Sequence, residues 1–219
     1  MDTISPILFF IISQFSFATV EKNPVALNLL SAQNISLENR DNNKFVNDVF
    51  KDNILLNIAY LSGKVTKKDD INWEEIKKPL IYKFTLAPKR TFAFHGDVLE
   101  KYKNSIAKTT NARFNFDDGF KSDGYLMGDG VCHLASLIYW VAKNAGLDAY
   151  APTNHDFAII PEIDRKYGVS IYKIPDQMNM NAIQNLYVTN SKQSPAVFEF
   201  AYKNGDLKLS IFEVKKSRL

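Results

Sequence analysis

The chain has 219 residues, of which 46% are apolar and 23% are charged, and its formal net charge is +3. This size and composition predict one globular domain with a sizeable core, and so weak a charge gives no reason to expect a nucleic-acid partner. The single cysteine excludes an internal disulfide, a Cys-x-x-Cys site and a zinc ribbon, and the sequence contains no P-loop, dinucleotide fingerprint, RNA-binding motif or internal repeat.

The first 18 residues contain an apolar run that is too short for a comfortable membrane span and has the length of a signal-peptide core. Small residues, Ser16 and Ala18, occupy the two positions that a signal peptidase reads. We therefore expect export to the cell envelope, with residues 1–18 either cleaved or kept as a membrane anchor. The acidic Asp2 and the lack of Lys or Arg before the run favour the alternatives, which are a buried N-terminal strand or a start site assigned too far downstream. A cytoplasmic location is the less expected one.

Residues 19–43 are polar and rich in asparagine, and they predict a linker in front of a single domain over residues 44–219. Apolar residues at helical spacing predict a helix from Lys44 to Leu61, capped by Asn43 and ended by Gly63. The sequence then predicts a short helix over 69–77, strands over 80–86 and 91–94, a helix over 97–107 and an acidic loop over 114–125. The acids of this loop lack the spacing of a calcium-binding EF-hand.

The cysteine stands where a glycine-rich turn, GDGVC at 128–132, gives way to a helix predicted from Cys132 to Ala145. Gly146 has the position of a left-handed residue that ends such a helix. A helix N-terminus carries unpaired N–H groups and a partial positive charge, which favour a thiolate and bind an oxyanion. This pattern predicts that Cys132 is a nucleophile, with Gly130 and Val131 in the oxyanion region.

The segments after this helix bring a histidine back towards the cysteine. Strands are predicted over 147–151 and 155–160, with a turn at 152–154. A helix of about 14 residues spans about 20 Å, and a return strand of about six residues covers nearly the same distance. We therefore expect His155 to lie beside Cys132 as its general base, with Asn154 in the substrate region. Without such a pairing, a lone cysteine is more often a small buried residue.

His133 follows Cys132 on the helix but points about 100° away, so it is a poor base that lines the cleft or donates to a substrate carbonyl. A metal held by Cys132, His133 and His155 is an alternative, but catalytic zinc needs three well-placed protein ligands. We expect neither a metal nor a cofactor.

A third group that orients the imidazole of His155 is harder to identify. Asp156 projects to the opposite face of the predicted strand, so it is an unsuitable partner. Asp164 in the following turn, or Ser170 and Tyr172 on the next predicted strand, are better placed.

The C-terminal half predicts strands over 167–174, 184–188, 197–202 and 207–214, the last two joined by the two-residue turn Asn204-Gly205. We expect an α+β fold. In this fold a mainly antiparallel sheet from the C-terminal half packs against the helix that carries Cys132 at its N-terminus.

Four segments resemble the VanW-like family of bacterial cell-envelope proteins, which is named from glycopeptide-resistance clusters. GDGVC at 128–132 is similar to the family's GGGVCQ signature, and 86–95 is similar to its PGExFSFN segment. Asn154-His155 resembles the site of the family's single histidine, and 185–190 resembles its late strand that ends in Asn. The matches follow the family's order and cover most of the chain.

The resemblance implies an L,D-transpeptidase-like activity that cross-links peptidoglycan stem peptides, with Cys132 as the nucleophile and His155 as its base. The chain departs from the family's pattern at four places: His133 replaces Gln, Asp129 replaces Gly, His95 replaces Asn, and residues 168–171 lack an acid. The chain therefore resembles a divergent member, in which the fold is expected to transfer better than the substrate.

The sequence leads to two main hypotheses. In the first, a cell-envelope cysteine acyltransferase attacks a stem-peptide carbonyl through Cys132 and passes the acyl group to an amine or to water. In the second, the cleft binds cell-wall glycan or peptide without catalysis, and Cys132 is buried and inert. A cytosolic cysteine peptidase is a further alternative if the N-terminal run is not a signal.

Overall fold

The computed structural model describes residues 26–124 and 128–215, so the predicted export segment at 1–18 lies outside the described residues. Within these ranges no helix is both long enough and apolar enough to cross a bilayer. The α-helices and strands are β1 (Leu27–Ser36), α1 (Lys44–Ser62), α2 (Trp73–Ile76), β2 (Leu80–Leu86), β3 (Thr91–Ala93), β4 (Ile106–Lys108), α3 (Val131–Asn144), β5 (Asp148–Tyr150), α4 (Met178–Ile183), β6 (Tyr187–Thr189), β7 (Ala196–Lys203) and β8 (Asp206–Val214).

The described strands form two four-stranded sheets. The first is antiparallel throughout, in the order β1-β8-β7-β2. The second has the order β4-β3-β6-β5 and is antiparallel except for the pair β3 and β4. Helix α3 packs against β1 and β8 of the first sheet, against β5 of the second, and against α1. The predicted α+β fold, with a mainly antiparallel sheet against the cysteine helix, is confirmed.

Local signals at four boundaries act as the sequence predicts. The Asn43 side chain accepts hydrogen bonds from the N–H groups of Phe45 and Val46 at the start of α1, and Gly63 ends that helix with a φ of 78°. Gly146 follows α3 with a φ of 70°. Asn204 and Gly205 have φ angles of 55° and 85°, the left-handed pair that a tight hairpin between β7 and β8 requires.

The linker predicted over residues 19–43 is wrong for residues 27–36, which form strand β1 at the edge of the first sheet. This strand is held by backbone pairing with β8 along its length, apart from an irregularity between Leu29 and Ser31. Ile35 is buried, but most of its neighbours in β1 are exposed or half-buried, so the side chains show little alternation. Pairing with β8 therefore determines that these residues form a strand, and their own sequence indicates a strand only weakly.

The helix predicted over 97–107 is also wrong. This segment forms a single 3₁₀ turn at Glu100–Tyr102 and then strand β4. The N–H group of Thr91 donates to the carbonyl of Ser105 at 2.9 Å, and the ring of Tyr102 stacks on Tyr187 with 4.3 Å between centroids. Pairing with β3 and packing on β6 therefore override the local preference.

The strands predicted over 155–160 and 167–174 do not form either. Both segments are irregular, and each is held by contacts with a side chain in place of a strand ladder. The imidazole of His155 bonds to a carbonyl in its own segment, and the backbone of Ile171 bonds to the thiol of Cys132. Both segments consequently belong to the candidate site described below.

Gly130 is buried at the N-terminus of α3, where the two central helices come closest. Its φ of 92° lies in the left-handed region that only glycine adopts freely. A Cβ atom at this position would lie 2.6 Å from the carbonyl oxygen of Phe50 in α1 and 3.0 Å from its Cα. The backbone of α3 can therefore approach α1 only because residue 130 has no side chain.

We expect Gly130→Ala to destabilise the protein by about 2–4 kcal/mol, because it combines left-handed strain with a clash against backbone. Gly63→Ala is the matched control, since Gly63 has a similar φ of 78° but no atom of the described chain lies within 4 Å of the position that a Cβ would take. The control should cost only about 1 kcal/mol. Urea unfolding of both variants measures the difference, and equal losses would show that the contact with α1 does not constrain residue 130.

Candidate active site

A cleft of about 290 Å³ lies at the N-terminus of α3. Its wall is formed by the end of the glycine turn, by the first residues of α3 and by the two irregular segments near 155–159 and 170–172. The residues that carry its chemistry are Arg40, Asp129, Cys132, His133, His155 and Gln184.

The thiol of Cys132 is half-buried and is engaged by one residue of the neighbouring segment. Its Sγ accepts a hydrogen bond from the N–H group of Ile171 at 3.4 Å and lies 3.6 Å from the carbonyl oxygen of the same residue, to which the S–H group donates. Burial, with a smaller contribution from the carboxylate of Asp129, raises the pKa of Cys132 to about 11. At neutral pH the free protein therefore holds a protonated thiol.

His155 is buried, and its tautomer is fixed by the backbone. Nδ1 lies 3.2 Å from the carbonyl oxygen of Ala158. Because a carbonyl oxygen only accepts, Nδ1 carries the proton and Nε2 keeps its lone pair. Burial lowers the pKa of His155, so the ring is neutral at pH 7 with Nε2 as a proton acceptor. The ring also packs on Phe157, with 4.0 Å between centroids.

His133 lies between Phe50 and His155, as its ring centroid is 4.9 Å from the first and 6.3 Å from the second. Burial, together with the nearby charge of Arg40, lowers its pKa to about 3. Its Nδ1 atom is buried and has no hydrogen-bond partner among the residues that the structure describes. His133 thus lines the cleft as a neutral ring.

The structure brings Cys132 and His155 to the same cleft, although no hydrogen bond between their side chains is found in the described residues. A neutral thiol and a neutral imidazole in one cleft are the starting state for general-base catalysis, in which the proton moves only as the sulfur attacks. Catalytic hydrogen bonds are often formed only in the complex with substrate.

Other predicted site residues have different roles. Asn154 is exposed, and its Nδ2 donates to the carbonyl of Arg165 at 3.2 Å, which ties together the ends of the loop after His155. Asp164 is exposed and caps the turn at 165–167 by accepting from the N–H group of Lys166. Nδ1 of His155 is bonded to Ala158, so Asp164 does not orient it by that atom.

Ser170, which was predicted to orient the imidazole, is bonded to a different side chain. Its hydroxyl donates to Oε1 of Gln184 at 2.7 Å. Val131 is buried in the core, whereas Gly130 lines the cleft. Within the residues described, no cluster of three or more His, Cys, Asp or Glu side chains has the arrangement of a metal site.

The sequence pattern did not single out Arg40, Asp129 and Gln184 as site residues. Arg40 is 3% exposed, and its guanidinium pairs with Glu162 at 2.9 Å. Its Nε has no hydrogen-bond partner within residues 26–124 and 128–215. The one available signal was at Asp129, an acid inside the glycine turn. Arg40 and Gln184 reach the cleft from distant segments that no spacing rule connects.

Asp129 is a half-buried acid one turn before the thiol. Its Oδ2 accepts from the N–H group of Asp123 at 3.0 Å. Burial raises its pKa to about 6. The carbonyl of Asp129 is held by Nδ2 of Asn53, which also donates to the carbonyl of Lys121. The turn before Cys132 is therefore anchored to α1 by one buried amide.

No protein-family model matches this chain, and neither does any curated protein or solved structure.

We expect Asp129→Asn to stabilise the protein at about pH 7.5 and to have little effect near pH 4.5. The folded state binds the proton of Asp129 more tightly than the unfolded state, because the pKa is raised from 3.8 to about 6. As the pH rises from 3.8 to about 6, ionisation of Asp129 therefore lowers the free energy of unfolding, and the loss persists at higher pH. Asparagine keeps the acceptor oxygen and removes the charge, so the free energy of unfolding at pH 7.5 should increase by about 1–2 kcal/mol.

Urea unfolding at the two pH values measures this gain. Asp117→Asn, which removes an exposed acid from the same loop region, is the control for the loss of one negative charge and should change stability by less than about 0.5 kcal/mol. A gain for Asp129→Asn that is the same at both pH values would contradict the argument.

Proposed function

We propose that this protein is a cysteine-dependent acyltransferase that acts on a peptide carbonyl bound in the cleft of Cys132. One observation carries the proposal. The thiol at the N-terminus of α3 and the imidazole of His155 line the same cleft, and the bond from Nδ1 to Ala158 leaves Nε2 free to accept a proton. A nucleophile and a base of the correct tautomer are the minimum for acyl transfer.

The reaction proceeds in two steps. Nε2 of His155 takes the proton of the thiol as Sγ of Cys132 attacks the carbonyl carbon, and the oxyanion lies towards the N–H groups of the first turn of α3. The C–N bond of the substrate then breaks, the leaving amine takes the proton from His155, and an acyl thioester remains. A second amine, or water, attacks the thioester and restores the thiol.

The electrostatics favour this order of events over a stable thiolate–imidazolium pair. Burial holds the pKa of Cys132 at about 11 and lowers that of His155, so neither group is charged at rest. Charge develops only when a substrate carbonyl is in place. The enzyme should consequently be slow with simple alkylating agents and faster with acyl donors.

The motif resemblance suggests the class of substrate. If the chain is a divergent VanW-like protein, its acyl donors and acceptors are the stem peptides of bacterial peptidoglycan, and the apolar N-terminal run exports it to the envelope. The competing proposal is a binding domain without catalysis. It is favoured by the double contact of the thiol with the backbone of Ile171, which occupies both the donor and the acceptor of the sulfur.

Acylation of the full-length chain by a p-nitrophenyl ester of an N-acetylated peptide tests the proposal. Intact-mass spectrometry should show one acyl group, which Cys132→Ala abolishes. His155→Gln keeps a hydrogen-bonding side chain but cannot take up the proton, and it should slow acylation by about 10²–10⁴-fold. Alkylation by iodoacetamide should rise with pH up to about the pKa of 11 in both the parent and His155→Gln.

His133→Gln is the matched control, because His133 lies in the same cleft and has no role as a base in the proposed reaction. Acylation that is equally fast in His155→Gln and in the parent would favour the binding domain. So would an acyl group that appears on residues other than Cys132.

A further inference from the structure

Large apolar side chains are exposed around the mouth of the cleft. Phe157 and Ile159 are each 71% exposed, and Tyr172 on the facing segment is 48% exposed. All three line the cleft that contains the thiol. Exposed apolar side chains grouped at a cleft, unlike isolated ones elsewhere on a surface, indicate a ligand with apolar groups.

The cleft does not end at the thiol. A second cavity of about 190 Å³ shares Gly128, Ile171 and Tyr172 with the first. Ile171 is the residue whose backbone contacts Sγ of Cys132, so the second cavity lies next to the residue that holds the sulfur. The first cavity, of about 290 Å³, is at the small end of the range for ligand sites and holds one or two residues of a peptide. A longer substrate would continue into the second.

Gln184 supplies a fixed hydrogen-bond donor on the wall of the first cavity. Its Oε1 accepts from Ser170, and its main-chain oxygen accepts from Nε2 of His95 at 3.1 Å and from the N–H group of Tyr172 at 3.3 Å. The side-chain amide is thereby turned with its NH₂ group away from Ser170. No acceptor for this NH₂ group is found among the described residues, so it is free to donate to a substrate carbonyl.

The cationic side chains that line the two cavities are each paired with an acid of the protein. Arg40 pairs with Glu162, Arg113 pairs with Asp118 at 2.7 Å, and Lys173 pairs with Asp97 at 3.5 Å. Little unpaired positive charge remains to attract a polyanion. The combination of apolar rim, amide donor and paired charges suits the backbone and side chains of a peptide.

We infer that this groove binds the interior of an extended peptide, with residues on both sides of the reacting carbonyl and a large apolar or aromatic side chain against Phe157 and Ile159. One backbone carbonyl of that peptide accepts a hydrogen bond from Gln184. The inference rests on the proposed function and narrows its substrate from any peptide carbonyl to one within an apolar segment, in place of the stem peptides that the motif resemblance suggests.

Fluorescence anisotropy with the full-length Cys132→Ala protein tests the inference without requiring chemistry. The probe is the labelled peptide Gly-Gly-Ala-Phe-Ala-Gly-Gly, blocked at both ends. It should bind at least about tenfold more tightly than the same peptide with Ala in place of Phe, as expected for burial of one large apolar side chain. Removal of the residues on either side of Phe should weaken binding, because each cavity then loses its occupant.

Variants locate the two contacts. Ile159→Ala should weaken binding of the Phe peptide by about fivefold or more and leave binding of the Ala peptide unchanged, since it removes part of the apolar rim. Gln184→Glu replaces the donor by a charged acceptor and should weaken binding of both peptides by about fivefold or more. Ile81→Ala is the matched control, because Ile81 is 72% exposed on β2 and does not line either cavity.

Two outcomes would overturn the inference. One is equal affinity for the Phe and Ala peptides. The other is tighter binding of a short stem pentapeptide, Ala-Glu-Lys-Ala-Ala with its natural D-residues, than of the Phe peptide. Either outcome leaves the acylation experiment untouched, and failure of acylation with retained binding of the Phe peptide would instead reject the proposed chemistry alone.

Discussion

The close approach of α3 to α1 at Gly130 is the constraint on which the arrangement of the site depends. The glycine has no Cβ and a left-handed φ, so the first turn of α3 rests against the backbone of Phe50. Because α3 also packs on strands of both sheets, its position fixes how the sheets meet. The thiol lies in the helical turn that follows this contact, so its place in the cleft follows from backbone packing and does not depend on the rotamer of a flexible loop side chain.

Hydrogen bonds to the carboxylate of Glu162, one of them from the buried guanidinium of Arg40, then attach one wall of the cleft to this framework. Glu162 accepts hydrogen bonds from the N–H group of Ser36, from Nδ2 of Asn39 and from the guanidinium of Arg40. These contacts hold the end of the irregular 155–163 segment against the connection between β1 and α1. Strand β1, which contributes few buried side chains of its own, therefore supports the wall that carries His155 and Phe157.

The elements that the sequence predicted correctly are those whose signals are local. Asn43 and Gly63 delimit α1, and Asn204-Gly205 makes the hairpin, because capping and left-handed φ angles are properties of single residues. Strand β1 and the 97–107 segment were predicted wrongly because their structure is determined by pairing with strands that are remote in the sequence.

The site residues likewise divide into those that local sequence signals identify and those that they do not. The length of α3 and of the segment that returns from it brought His155 to the cleft of Cys132, although the strand predicted over 155–160 does not form. Gln184 and Arg40 could not be found in this way, since they reach the cleft through hydrogen bonds between segments far apart in the chain.

The contact between Ile171 and the sulfur also bears on the chemical durability of the protein. Oxidation to a sulfenic acid and exchange with disulfides both start from the thiolate. With a pKa of about 11, only about one molecule in 10⁴ carries a thiolate at pH 7. A lone cysteine in an oxidising compartment has no partner within its own chain and is otherwise open to mixed disulfides. Burial and the two contacts with the backbone of Ile171 therefore make this sulfur a poor starting point for oxidation or disulfide exchange.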